Sequence, residues 1–235
     1  MIFRVRSLLC YPVPQLPQQT TRNTRVIQLD FPALKSTPVN PDPFPHVVVP
    51  NFVPPAALAE VVRDLPPIAK GGSFPPDAIR LGPRAQALMT ALEGPEMRAA
   101  IAERFSLDLG DAPTMLTLRG RTRDKDGRIH CDSTAKRVTV LLYLNPEGDA
   151  FAEHQGCLRL LRGPRDLEDF AVEVPPVNGT LLVFPNSPAS WHGHKQFVGQ
   201  RYSVQLNYMT TDQQARSELR RHRVSAFVKR LTRAA

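Results

Sequence analysis

The spacing of apolar residues divides the chain into a helical first half and a strand-rich second half. Before residue 113, apolar positions recur at helical spacing in three segments: PPAALAEVVRDL, PRAQALMTALE and PEMRAAIAERF. Proline opens each of them, which is typical of the first turn of a helix. HVVVPNFV reads as a strand, and TRVIQLDFP could form another. We therefore expect helices that pack on the outside of a β domain.

From about residue 113 the apolar positions follow a period of two, as in strands with two different faces. Turn signals such as PEGD, RGPRD, VNG and FVGQ separate the segments. Seven or eight strands at this spacing predict an α+β, mainly β fold with a sandwich or barrel core. The segments are TMLTLRG, RVTVLLYLN, CLRLL, FAVEVPPV, GTLLVF, WHGHKQF and RYSVQLNYM.

Length and proline content set the expected domain organisation. The 235 residues, 42% of them hydrophobic, are enough to bury one core. The first 55 residues contain 11 of the 24 prolines and no glycine, so we expect an extended arm over 1–38 that is poorly ordered over 1–25. The main domain is predicted at 39–212 and a basic C-terminal helix at 213–235.

The net charge of +8 is concentrated at the C-terminus, where residues 216–235 carry seven Arg or Lys and one Glu. A basic tail on an otherwise balanced domain argues against a nucleic-acid-binding protein. We expect this helix to dock on the barrel or on a partner subunit in a homodimer, rather than on a membrane or a polyanion. Its apolar stripe at helical spacing is Val224, Phe227, Val228 and Leu231.

The sequence lacks the features of membrane and secreted proteins. No apolar run approaches the roughly 18 residues of a transmembrane span, and the apolar stretch in MIFRVRSLLCYPVP is too short for a signal peptide. The cysteines Cys10, Cys131 and Cys157 are odd in number and irregular in spacing, which argues against a disulfide framework. We therefore expect a soluble, cytoplasmic protein.

Two segments carry residues that could bind a metal. GRIHCDSTAK places His130 and Asp132 two positions apart, so on a strand the imidazole and the carboxylate project to one face. WHGHKQF offers a further histidine, His192 or His194. Two histidines and one carboxylate form the facial triad of non-haem Fe(II) sites. The H-x-D spacing is common by itself, and the alternative is a surface histidine beside an aspartate in a turn.

Taken together, these segments resemble the prolyl 4-hydroxylase-like family of 2-oxoglutarate- and Fe(II)-dependent dioxygenases, its bacterial members in particular. The resemblance covers residues 113–209 and follows the order HCD, VTVLLYLN, GTLLVFPN and WHGHKQFVGQR. The segment PFPHVVVPNFVPPAALAEVVRDLP also resembles the one that precedes this core in bacterial members. The family likeness implies a double-stranded β-helix, which is a jelly-roll or cupin-like core, with supporting helices from the N-terminal half.

The family pattern implies a role for each matching residue. His130, Asp132 and one distal histidine would hold Fe(II), and a basic residue nine or ten positions later would bind the C5 carboxylate of 2-oxoglutarate. Arg201 lies nine positions after His192 and seven after His194, which favours His192 as the ligand. His194 is then expected to be an exposed residue, with a role beside the iron or the substrate as the alternative.

The strand RYSVQLNYM suits the wall of a cosubstrate pocket, because alternation gives it one polar and one apolar face. The polar face consists of Arg201, Ser203, Gln205 and Asn207. A guanidinium suits a buried carboxylate because it can bind it through two parallel hydrogen bonds. On RVTVLLYLN, the resemblance implies that Tyr143 and Thr139 hydrogen-bond the same carboxylate, and the alternative is ordinary core packing.

Basic side chains near the H-x-D pair could line the mouth of such a pocket. We expect them to belong to a solvated loop instead. They are Arg119, Arg121, Arg123 and Lys136.

The resemblance implies an enzyme that uses Fe(II), 2-oxoglutarate and O₂, with ascorbate as an optional reductant. It would hydroxylate an unactivated C–H bond and release succinate and CO₂. Asp132 favours hydroxylation, since related halogenases carry a small residue in its place. The substrate stays open between a peptidyl proline and a small metabolite or sugar. A zinc hydrolase with the same ligands and a non-catalytic jelly-roll binding module are the alternatives.

Overall fold

The computed structural model describes residues 26–148, 151 and 154–231, except for the side chains of 223 and 225–231. Within this part of the chain, four of the five helices end by residue 105, and seven of the eight strands begin at residue 114 or later. The helices are α1 (Phe31–Ser36), α2 (Pro55–Arg63), α3 (Pro83–Leu92), α4 (Pro95–Phe105) and α5 (Gln213–Leu231). A 3₁₀ turn, Pro76–Ala78, lies between α2 and α3. The strands are β1 (Val47–Val49), β2 (Thr114–Thr122), β3 (Lys136–Tyr143), β4 (Leu158–Leu161), β5 (Phe170–Val174), β6 (Leu181–Pro185), β7 (His192–His194) and β8 (Gly199–Met209).

The strands form two antiparallel sheets. The larger sheet has the order β1-β6-β3-β8-β2 and the smaller one has the order β5-β4-β7. The two sheets pack face to face as a double-stranded β-helix, which confirms the predicted α+β, mainly β class. Each segment with a period of two from residue 114 onward became a strand, and HVVVPNFV supplied β1.

Alternation along the larger sheet separates a helix-facing side from a pocket-facing side. On the first side, residues such as Leu118, Val140 and Val204 share one buried cluster with helix residues such as Leu88 and Ile101. Fully burying one such side chain contributes about 1.5–3 kcal/mol to stability. On the opposite side, Tyr143, Leu182 and Phe184 pack against Leu158 and Leu160 of the smaller sheet. The helices therefore cover one face and leave the other for the site.

The predicted strand in TRVIQLDFP is wrong. Ile27 and Leu29 are buried and their neighbours are more exposed, so the period of two is present, but residues 26–30 join neither sheet. Helix α1 begins directly afterwards because the Asp30 side chain accepts a hydrogen bond from the Ala33 amide (2.9 Å) and proline occupies its first turn. The expected disorder of residues 1–25 lies outside the described residues.

Helix α5 begins at Gln213 and packs its first turns beside β8. Ala215 and Leu219 form a small apolar cluster with Ala135 and Met209. The side chains of Phe227, Val228 and Leu231 lie outside the description, so the amphipathic stripe stays a prediction, as does the division into 1–38, 39–212 and 213–235. Among the described residues, no helix combines the length and the apolar character that crossing a membrane requires.

The turn before β6 holds the N-terminal segment against the larger sheet. Gly179 has φ +63°, and its carbonyl oxygen accepts a hydrogen bond from the Val53 amide (3.2 Å). A Cβ at this position would lie 2.5 Å from the Val53 carbonyl oxygen and 2.9 Å from the Val53 Cβ. Glycine is therefore required here both by the backbone conformation and by the close approach of another segment.

We expect Gly179→Ala to lower the free energy of unfolding by about 2 kcal/mol or more, because the left-handed conformation and the backbone clash both oppose a side chain. Gly163→Ala is the matched control, since a Cβ at that position meets nothing within 4 Å. Urea unfolding of both variants measures the difference. Equal stabilities of the two variants would contradict the assignment.

Candidate functional site

A pair of backbone hydrogen bonds brings together the two segments that the sequence predicts to bind a metal. The His130 amide donates to the His192 carbonyl, and the His192 amide donates to the His130 carbonyl, both at 3.0 Å. The His194 amide donates to the Gly127 carbonyl at 2.9 Å, so the loop before Asp132 runs beside β7. As a result, one ligand atom each from His130, Asp132 and His192 all lie within 4.8 Å of one another.

Both histidines of this cluster are oriented by their own backbone. The Nδ1 of His130 lies 2.8 Å from the Arg128 carbonyl oxygen, and the Nδ1 of His192 lies 2.9 Å from that of Ser190. A carbonyl oxygen only accepts hydrogen bonds, so each Nδ1 carries a proton in these contacts. Each Nε2 then keeps a lone pair, which is the tautomer that a metal-binding histidine needs.

The Asp132 carboxylate is held by a cation and a hydroxyl. Lys136 Nζ contacts one oxygen at 2.5 Å, and the Thr139 hydroxyl donates to the other at 2.6 Å. Burial opposes ionisation of Asp132, but Lys136, His192 and the Thr139 hydrogen bond outweigh it, so the pKa of this carboxyl lies below its usual value. Asp132 is therefore an anion at neutral pH and can serve as a ligand.

His192 is almost fully enclosed. Its ring packs against Phe184 with 5.2 Å between the ring centres and against His130 with 4.4 Å. Burial, with a further contribution from His130, lowers the pKa of His192 to about 4. The imidazole is thus neutral across the physiological pH range and available to a metal.

His194, expected to be exposed, is instead buried, with 9% of its surface accessible. In the smaller sheet, His192 pairs with Leu160 and His194 with Leu158, so both imidazoles project to the inner face while Gly193 points away. Burial and the nearby Arg201 lower the pKa of His194 to about 4. It lies outside the cluster of potential ligands around Asp132.

Arg201 is a buried cation on the pocket-facing side of β8. Its Nε donates to the Gly156 carbonyl oxygen (2.9 Å), and its guanidinium lies over the Tyr143 ring, 5.1 Å from the ring centre. Among the described residues, no carboxylate lies within 4.0 Å of it. A buried charge without a counter-ion is costly, so this position is suited to bind an anion.

Tyr143 and Ser203 lie beside Arg201. They are direct cross-strand neighbours in the register of β3 and β8, and both are buried. The Tyr143 hydroxyl is fully enclosed and makes no hydrogen bond of ordinary geometry to a described group, although the Arg201 guanidinium lies close enough to act on it. Burial raises its pKa, and Arg201 opposes this only in part, so the hydroxyl keeps its proton and can donate it. We call the group formed by Arg201, Tyr143 and Ser203 the anion pocket.

The sequence model of the 2OG-Fe(II) oxygenase superfamily matches residues 120–209, a stretch that contains the three potential ligands and the whole anion pocket. The chain carries a 2OG-Fe(II) oxygenase domain. It is accordingly an oxygenase that works with Fe(II), 2-oxoglutarate and O₂. No protein with a curated function matches the sequence.

Several solved structures are similar to this oxygenase domain in fold. A prolyl-4-hydroxylase of Pseudomonas putida is 19% identical, with 77% of this chain and 91% of that chain covered and a TM-score of 0.48. A prolyl hydroxylase of Trichoplax adhaerens, in complex with a peptide of hypoxia inducible factor, is 19% identical, with coverages of 86% and 96% and a TM-score of 0.45. HygX of Streptomyces hygroscopicus, with nickel and 2-oxoglutarate bound, is 15% identical, with coverages of 71% and 82% and a TM-score of 0.48.

Thr139 lies at the metal end of the oxygenase site. Its hydroxyl donates to Asp132, accepts from the Asn186 amide nitrogen (3.1 Å) and lies 3.3 Å from the side-chain oxygen of Asn207. The resemblance placed Thr139 beside Tyr143 on the far carboxylate of 2-oxoglutarate. The observed partners allow it to orient the Asp132 carboxylate, and its contact with the cosubstrate stays a prediction.

The basic residues near the H-x-D pair have separate environments and do not form one solvated loop. Arg119 and Arg121 lie within β2, whereas Arg123 pairs with Asp126 at 3.0 Å. Lys136 is only 13% exposed and contacts Asp132, so its assignment to the solvent was wrong. The signal for this contact was the i, i+4 spacing of Asp132 and Lys136, but that spacing is informative only once the backbone conformation is known.

A second group with ligand-type atoms consists of His154, Cys157 and Glu173. Its ligand atoms are less available to a metal than those of His130, Asp132 and His192. The Glu173 carboxylate is already bound by Arg159 (2.6 Å) on one oxygen and by His154 on the other. Burial and Glu173 raise the pKa of the Cys157 thiol to about 11, so the thiolate that a metal needs is disfavoured.

We expect Thr139→Val to weaken Mn(II) binding by about tenfold or more, because the residues that orient a ligand typically contribute that much to metal affinity. Thr117→Val is the matched control, since Thr117 is also buried but its side chain makes no hydrogen bond to the described residues. Electron paramagnetic resonance of free Mn(II) measures the affinity. An unchanged affinity in Thr139→Val would show that Asp132 does not depend on this hydroxyl.

We expect the metal-free protein to lose stability as the pH falls from about 6.5 to about 4. The folded-state pKa values of His192 and His194 are about 4, whereas unfolded histidine titrates near 6.5, so between these values the unfolded chain binds more protons. Each histidine adds up to about 1.4 kcal/mol per pH unit to this slope. Denaturant unfolding at several pH values should show a shallower slope for His194→Gln, and an unchanged slope would refute the assignment.

Proposed function

We propose that His130, Asp132 and His192 hold the Fe(II) of this oxygenase and that Arg201 binds the C5 carboxylate of 2-oxoglutarate. The observation that carries the proposal is the buried Arg201, which lacks a carboxylate partner among the described residues although its neighbour Tyr143 offers a free hydroxyl. An anionic cosubstrate would provide the partner that both groups lack.

The donor atoms fit Fe(II) in number and kind. Two neutral imidazoles and one carboxylate make the facial triad of non-haem iron oxygenases and leave further positions on the metal free. When bound, iron and 2-oxoglutarate would supply the oxidising chemistry with O₂ as the oxidant: one oxygen atom would enter the succinate that forms as 2-oxoglutarate loses CO₂, and the other would enter a substrate C–H bond.

The chain's own residues position these partners. Lys136 and Thr139 fix the Asp132 carboxylate, and the carbonyl contacts of both Nδ1 atoms fix the imidazoles. Arg201 and Tyr143 would bind the far end of 2-oxoglutarate through a charge-assisted pair and a donated hydroxyl hydrogen bond, with Ser203 beside them. The apolar residues Leu158 and Leu160 of the smaller sheet, which face Tyr143, help to keep water from this space.

Two alternatives explain less of the site. A zinc hydrolase could use the same three ligands, but it would leave Arg201 as a buried cation with no task. A non-catalytic binding module would not need two imidazoles whose Nε2 atoms are both kept free. Hydroxylation of a C–H bond therefore remains the function that accounts for the most residues.

We also propose that the protein is located in the cytoplasm. Cys131 and Cys157 are free thiols, which fits the reducing cytoplasm. The choice between a peptidyl proline and a small metabolite or sugar stays open, as does the homodimer. We continue to expect no nucleic-acid partner, because the excess of positive charge lies in the C-terminal 20 residues rather than at the site.

We expect Fe(II) and 2-oxoglutarate, added without oxygen, to give the weak visible absorption band of the metal–cosubstrate chelate. His192→Ala and Asp132→Ala should lose the band because each removes a ligand, whereas His194→Ala should keep it. Arg201→Gln should still bind metal but require about 30-fold or more 2-oxoglutarate, since it loses one partner of a buried charge pair. Arg63→Gln, an exposed change on α2, is the control for net charge.

Two results would overturn this proposal. Loss of the band in His194→Ala, with retention in His192→Ala, would show that the ligand is the other histidine. No band in the unaltered protein, together with zinc-dependent hydrolysis, would establish the hydrolase instead. Succinate formation from 2-oxoglutarate in oxygen, absent in Asp132→Ala, would exclude the binding module.

A further inference from the structure

Arg119 lies on the same face of the larger sheet as the anion pocket. In the register of β2 and β8 it is the direct partner of Ser203, and Ser203 is in turn the partner of Tyr143 on β3. Cross-strand partners project to the same face of a sheet. The flanking residue Leu118 belongs to the helix-facing core, which fixes the opposite direction for Arg119. Arg119, Ser203 and Tyr143 therefore form one row across three strands.

Arg119 has no partner of opposite charge in the part of the chain that the structure describes. Among the described residues, no carboxylate lies within 4.0 Å of its guanidinium and no hydrogen bond from it is formed. Two other arginines near the site do have carboxylate partners: Arg123 pairs with Asp126, and Arg159 pairs with Glu173. Of the four arginines Arg119, Arg123, Arg159 and Arg201, only Arg119 and Arg201 lack a carboxylate partner among the described residues.

Arg119 is accessible to water but close to the rest of the site. The residue is exposed, but enough protein surrounds its guanidinium for partial desolvation to lower its pKa. The charge of Arg201 also lowers the pKa of Arg119, whereas Asp126 and Asp132 raise it. Its charge acts on groups at both ends of the pocket, on Asp132 at the metal end and on Tyr143 at the other end. By the strand register, Arg119 thus lies beside the anion pocket while it is still reachable from solvent.

In the loaded site, Arg201 and Lys136 would both have partners, whereas Arg119 would not. The far carboxylate of 2-oxoglutarate would pair with Arg201, and its other carboxylate would lie at the metal. Lys136 already pairs with Asp132. Of these three cations, Arg119 is then the one without a carboxylate partner among the described residues, and it is exposed, whereas Arg201 is buried. An anion that arrives from solvent after the cosubstrate would meet Arg119.

We propose that Arg119 binds an anionic group, a carboxylate or a phosphate, of the substrate to be hydroxylated. The inference rests on the proposed function, since it takes Arg201 to be occupied by 2-oxoglutarate. Guanidinium groups bind both anions through paired hydrogen bonds, so the chemical class is an anion with two or more oxygens. Arg119 would hold this group beside the metal and exclude neutral analogues of the same size.

The test measures anion binding without turnover. The protein is loaded with Mn(II) and saturating 2-oxoglutarate, and inorganic phosphate is added at constant ionic strength, because screening would otherwise change with the phosphate concentration. Paramagnetic relaxation of the ³¹P signal reports phosphate bound near the metal. We expect saturable relaxation in the unaltered protein and an affinity lower by about tenfold or more in Arg119→Gln. Arg63→Gln on α2 should behave like the unaltered protein.

The affinity for 2-oxoglutarate is titrated in the same samples. It shows whether Arg119 binds the added anion or the cosubstrate. We expect it to change by less than about twofold in Arg119→Gln. If Arg119→Gln instead weakens 2-oxoglutarate by tenfold and leaves phosphate unchanged, Arg119 serves the cosubstrate and the inference is wrong. Phosphate binding that is absent, or equally reduced in Arg63→Gln, also overturns it. Failure of the unaltered protein to bind Mn(II) and 2-oxoglutarate would overturn the proposed function itself.

Discussion

The site depends on the two backbone hydrogen bonds between His130 and His192, because they are what joins the ligand loop to the smaller sheet. The two residues are 62 positions apart in sequence and belong to segments with few other reasons to meet. Paired backbone groups fix the distance between two Cα atoms much more tightly than side-chain packing does. Once this pair is formed, the i, i+2 spacing brings Asp132 to the same side without further contacts.

A polar site in this position is possible because the helices take over the apolar side of the larger sheet. β2, β3 and β8 each bury one face against α2, α3 and α4, so the stability of the sheet does not depend on the other face. That face can then carry Arg201, Ser203 and Asn207, which cost desolvation energy and contribute little to packing. The N-terminal helices therefore stabilise the fold and leave the pocket-facing side free for chemistry.

Sequence patterns predicted the elements well and the contacts between them poorly. The period of two located the strands from β2 to β8, and it also explains the error at TRVIQLDFP, where Ile27 and Leu29 alternate correctly but no neighbouring strand is available. The close approach of His130, Asp132 and His192 was predictable from spacing and family resemblance together. The burial of His194 was not, since it depends on the loop at Gly127 lying against β7. Lys136 was missed for the same reason, because its contact with Asp132 requires the turn that precedes β3.

Helix α5 extends this reasoning from the metal end of the site to the C-terminus. The Ser133 hydroxyl, next to Asp132 in sequence, donates to Glu218 at 2.6 Å and accepts from the Gln214 amide at 3.1 Å. Ala215 packs on Ala135 just beyond the same loop. The loop is thus held on one side by the backbone of β7 and on the other side by α5, and Asp132 lies between these two supports. A ligand that must stay within a fraction of an ångström of its working position needs such support from more than one direction. The first turns of the basic helix α5 therefore support the loop that carries Asp132.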